Sequence, residues 1–125
     1  MTMNAAKRLV ATLVMMAGLV ITQQAQAHAH LEHALPADKS VVQTSPKHLT
    51  LSFSEGVEAA FSGIVLKDAA GKTIATGKPA VDAADNKQLL IALSAPLTTG
   101  KYQVNWHAVS VDGHKTHGNY MFTVK

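Results

Sequence analysis

Histidine offers the most chemistry in this chain. Seven occur in 125 residues, His28, His30, His33, His48, His107, His114 and His117, and there is no cysteine. Imidazole nitrogens bind borderline metals such as copper, zinc and nickel, whereas thiolate cages and disulfide frameworks are excluded by composition. In Asp112-Gly113-His114 a histidine has a carboxylate two residues away. Two residues apart in extended chain, those side chains project to the same side. The same triplet also reads as an ordinary Asp-Gly turn. Phe53-Ser54-Glu55 places a second carboxylate just past a core-like run, where Glu55 could ligate or orient a ligand from the outer sphere.

His28 matters because of what precedes it. Lys7 and Arg8 are followed by an apolar run of 13 residues, Leu9 to Ile21, and then by Ala25-Gln26-Ala27. A basic start, an apolar stretch and a small-x-small ending form an export signal, expected over residues 1–27. A spanning helix needs about 20 apolar residues, so a membrane anchor fits less well and no stable membrane insertion is expected. Cleavage after Ala27 would make His28 the first residue, with an amine and an imidazole able to chelate one ion. Their reference pKa values, about 8 and about 6.5, make deprotonation near neutrality cheap. His30 provides a rival site, in which the amine, two deprotonated amides and its imidazole encircle Cu(II) or Ni(II). Either arrangement suits Cu(II), which accepts tetragonal nitrogen and oxygen ligands and heads the divalent affinity series.

Removing residues 1–27 leaves 98 residues with nine lysines, no arginine and eight carboxylates, a net charge of +1. The lysines are scattered, so the basic stripe of a nucleic-acid binder is absent. Four of the five methionines fall in the leader, leaving Met121. One modest core and one domain, 28–125, are expected.

The elements that must position these residues read as strands. Leu49, Leu51 and Phe53 alternate with polar neighbours, as do Tyr102, Val104, Trp106 and Tyr120, Phe122, Val124. Further runs cover Phe61 to Leu66, Lys72 to Thr76 and Gln88 to Leu93, and Gly, Pro, Asn or Asp bound them. Period-two alternation between turn residues is the strand signal. With an extended N-terminal segment the count is about seven. An all-β fold follows, a Greek-key β-sandwich or barrel of immunoglobulin-like size. Trp106 is read as core, His107 as surface, and Thr76 to Asn86 as the most mobile loop. His33, His48 and His117 have no assigned partner.

The joint pattern of several blocks is similar to the periplasmic copper-resistance family CopC, and within it to the YobA-like members. The blocks are His28-Ala29-His30-Leu31, Pro36-Ala37-Asp38, Leu51 to Glu58, Phe61-Ser62-Gly63, Leu97 to Gly100, Tyr102 to His114 and Gly118 to Val124. The resemblance implies a seven-stranded Greek-key β-sandwich or barrel, cupredoxin-like in outline, that carries copper in the periplasm. It implies one Cu(II) site, with ligands at His28, Asp112 and His114 and with Glu55 in or near the shell. It also implies an inner-membrane CopD-like copper transporter as a partner. Some members bind Cu(I) in a Met-rich loop containing a His. Here the matching stretch, Lys67 to Lys87, has neither residue, which argues against a separate Cu(I) site.

The expected function is Cu(II) sequestration, resistance or delivery, not catalysis. Copper oxygenases that cut polysaccharides also use an N-terminal His, and a small interaction module is a third reading. A domain this small, with few aromatics and with Asp112 where oxygen would need an open position, argues against the oxygenase.

Overall fold

A computed structural model describes residues 29–125, which form a two-layer β-sandwich. One sheet has four strands in the order β1 (Leu31–Leu35), β3 (His48–Phe53), β7 (Gln88–Ala92), β6 (Ala80–Val81). The other has five, β2 (Val41–Val42), β9 (Lys115–Val124), β8 (Gly100–Val109), β4 (Gly63–Asp68) and β5 (Thr73–Ile74). The chain repeatedly leaves one sheet for the other, so sequence neighbours such as β3 and β4 lie in opposite sheets. The expected strands are all present. The two additional ones, β2 and β6, are two residues long, too short for alternation to show in sequence.

Alternation selects what each strand buries. Leu49, Leu51 and Phe53 of β3 meet Tyr102, Val104, Trp106, Tyr120, Phe122 and Val124 of β8 and β9 in one cluster. Trp106 packs edge-on against Phe53, ring centroids 5.3 Å apart, and Tyr102 stacks on Phe122 at 5.7 Å. The indole lies across Gly118, its partner on β9; a Cβ there would approach Trp106 Cζ2 to 2.7 Å. Gly118 is required by that close approach.

Two local expectations change. Phe61 belongs to a 3-10 turn, Ala59–Phe61, and is 66% exposed, because β4 begins only at Gly63. The segment expected as a mobile loop is partly ordered by pairing: Ala80 and Val81 face Leu90 and Leu89. Asp82 and Asp85 each accept backbone N–H bonds from residues two positions ahead, the side-chain turn chemistry of aspartate.

The longest ladder, β8 with β9, runs in register from Gly100↔Val124 to Val109↔Lys115. Its connection is therefore a short turn, residues 110–114, at one end of the sandwich.

Candidate metal centre

Within that turn Ser110 N–H donates to His114 O (2.9 Å) and Gly113 N–H to Ser110 O (2.8 Å). Gly113 sits at φ +89°, a region that disfavours side chains with a Cβ. Of the two sequence readings of Asp112-Gly113-His114, the turn is the one adopted. It nonetheless brings both side chains together, with His114 Nδ1 3.0 Å from Asp112 Oδ2. Both remain open to solvent, His114 at 51% and Asp112 at 39% exposure.

Ser110 organises the pair from below. Its hydroxyl, almost fully buried, donates to Asp112 Oδ1 and accepts the His114 N–H at 3.2 Å. The Ser110 hydroxyl, and then the His114 side chain, hold the Asp112 carboxyl down at about 2 against an ordinary 3.8. Asp112 is thus a permanent anion at physiological pH, suited to a cation.

Two further segments converge on the turn. Val111 N–H donates to Gly56 O (3.0 Å), Glu58 N–H donates to Val109 O (2.8 Å), and Val57 bridges to Ser110. Glu55 therefore stands one residue from the strand contact that carries Asp112, half-buried. The second segment is the chain entering β1. Ala29 is fully buried, and its carbonyl accepts from Thr116 Oγ1 at 2.7 Å. His30 is clasped by Ser54, with His30 N–H to Ser54 Oγ at 3.0 Å and Ser54 N–H to His30 O at 2.9 Å. Ala29 is thereby anchored two residues from His114, and His30 next to Glu55.

His28 lies outside the described residues, as does the expected leader. Among the described residues no group of three or more His, Asp or Glu could hold a metal. The structure brings together Asp112 and His114 and leads the chain from Ala29 to their neighbour Thr116; Glu55 adjoins the Gly56–Val111 backbone contact but is not gathered with them into one three-residue group. It leaves His33 and His48 exposed on the four-stranded sheet, and His107 exposed as expected.

Ser110, Ser54 and Thr116 were missed as positioning residues. The Ser110 hydroxyl bonds the backbone of His114 four residues on, which is the local side-chain turn chemistry that serine favours, so Ser110 carried a short-range signal. Ser54 and Thr116 act over 24 and 87 residues of chain and left no local trace.

The chain is thus a small β-sandwich with an acid–imidazole pair on one end turn. The model of the CopC domain matches residues 31–125, and the chain belongs to the CopC family. It is 45% identical over 106 residues to Protein YobA of Escherichia coli (strain K12), covering 85% of this chain and 86% of that one. Copper resistance protein C of Escherichia coli is 36% identical over 120 residues, 90% of this chain and 94% of the other. Among solved structures, CopC from Methylosinus trichosporium OB3b superimposes with a TM-score of 0.74 at 36% identity. That match covers 78% of this chain and 94% of the other.

Proposed function

We propose that this chain is exported to the periplasm, loses residues 1–27, and then binds one Cu(II) ion at its new terminus. The ligands are the amine and imidazole of His28, the Asp112 carboxylate and the His114 imidazole, with Glu55 in or beside the shell. A relative's name, copper resistance protein C, supports copper as the cargo. The donor set of nitrogens and a carboxylate suits Cu(II) and offers no thiolate or thioether for Cu(I).

The observation that carries this reading is how Ala29 and His30 are held. The rival site centred on His30 needs the backbone nitrogens of residues 29 and 30 as ligands. Ala29 is buried in the core, its carbonyl is tied to Thr116, and the His30 N–H is donated to Ser54. Forming the rival would break that donated bond and draw Ala29 out of the core. A site using only the amine and side chain of His28 leaves both contacts intact. Its chain connection starts from Ala29, which Thr116 holds close to His114.

Exposure of Asp112 and His114 fits a carrier, since a partner's ligands can reach a cargo held at an open turn. Copper sequestration in resistance, with delivery to an inner-membrane CopD-like transporter, follows as the physiological role. The test compares the exported, processed protein with a form carrying one additional residue before His28. The processed form should show a nitrogen-rich Cu(II) EPR spectrum at one equivalent, and the extended form should bind far more weakly. Equal affinity in the two would remove His28 from the site.

A further inference from the structure

One histidine pair plays no part in that site. His107 on β8 and His117 on β9 are directly opposite each other in the antiparallel ladder. Both are exposed. Alternation decides their face: Trp106, Ala108 and Tyr120 are buried, whereas His107, His117, Asn105 and Asn119 lie on the outer surface of the five-stranded sheet. We infer that His107 and His117 form a second, two-imidazole site for a borderline divalent metal ion, Cu(II) or Zn(II).

The geometry comes from the ladder. Directly opposed residues in an antiparallel pair have Cβ atoms about 4.5–5.5 Å apart. Metal–imidazole bonds are about 2.0–2.1 Å long, so two such side chains can close on one ion without backbone movement. Register pre-sets both backbones, and only side-chain rotation is left to fix. The His107 ring leans toward β4 over Gly63, where a Cβ would meet its Cε1 at 3.3 Å. Closing on an ion shared with His117 therefore requires the ring to rotate about its side-chain bonds from Gly63 toward β9. Phe61 and Lys115 line the same hollow as the two imidazoles.

Two features keep this site apart from the first and weaker than it. His117 is three residues beyond His114, about 10 Å along an extended strand, too far to share an ion with it. The pair supplies two ligands and no carboxylate, and Lys115 adds a like charge to the hollow. The second ion would keep positions open to water or to a ligand from another molecule, which suits uptake at high metal load. The inference stands whether or not His28 ligates copper.

The experiment titrates the exported, processed protein with Cu(II) and follows EPR and backbone NMR, in parallel with His107→Gln, His117→Gln and His30→Gln. The second equivalent should give a distinct EPR species and broaden His107, His117 and Gly63. Either His107→Gln or His117→Gln should abolish both effects and leave the first-equivalent spectrum unchanged. Because both side chains are exposed, the variants should retain the parent circular dichroism. Failure to take up a second ion would overturn the site. So would persistence of the second species in the two variants, or its loss in His30→Gln alone.

Discussion

The β8–β9 hairpin holds two regions built on opposite principles. Its body is dry and interlocked: Trp106 lies on Gly118 and Phe53, and Tyr102 stacks on Phe122. Its tip, residues 110–114, opens to solvent beyond the buried Ser110 and is held by that residue's hydroxyl together with backbone bonds within the turn and to Gly56. The body is held by packing, and the tip presents the solvent-open side chains of Asp112 and His114. Fold and binding should therefore be separable by mutation.

The largest expected effect is in the body. Trp106→Ala should cost about 3–5 kcal/mol of stability by urea denaturation, the range for removing a large buried aromatic. A much smaller loss would mean that the indole is not the keystone its contacts imply. Gly118→Ala comes next. The added methyl collides with the indole, and overpacking of this kind typically costs about 1–3 kcal/mol. Thermal melting beside the Trp106 variant would show whether the two losses are coupled, as a shared contact requires.

Ser110→Ala tests the junction between the two regions. Losing its hydrogen bonds should cost about 0.5–1.5 kcal/mol. The Asp112 pKa should rise from about 2 back toward 3.8, because the Ser110 hydroxyl is the first cause of its depression. The sign follows from linkage. A carboxyl depressed on folding favours the fold above about pH 4 and loses that contribution as the pH falls toward 2. The variant should therefore lose that acid-range slope, as read by NMR titration and acid unfolding. At the tip, His114→Ala should change stability least, within about 0.5 kcal/mol for an exposed side chain. It should nevertheless alter the Cu(II) EPR spectrum at one equivalent. An unchanged spectrum would favour the site centred on His30.

Much of the body was legible in the sequence, because a strand buried on one face writes its environment into every second residue. Tyr102, Val104 and Trp106, then Tyr120, Phe122 and Val124, could be assigned inward from alternation alone. β2 and β6 could not, since two residues carry no period. Phe61 was misplaced because an aromatic next to a strand resembles part of it. The tip was half legible: Asp112-Gly113-His114 announced a carboxylate and an imidazole, but extended chain and turn predict the same proximity. Only Gly113 at positive φ and the Ser110 bonds decide between them.

By itself the sequence determined the chemical inventory. It provided seven histidines and no thiol, a basic and apolar stretch before His28 with the composition expected of an export signal, and alternating strands enough for one sandwich. Those properties are local, set by residue type and short-range spacing. The tertiary structure alone decided which of them meet. Thr116 holds Ala29 across 87 residues, Ser54 holds His30 across 24, and ladder register sets His107 opposite His117. Such contacts depend on strand order and register, which arise from the packing of the whole core and leave no mark on neighbouring residues.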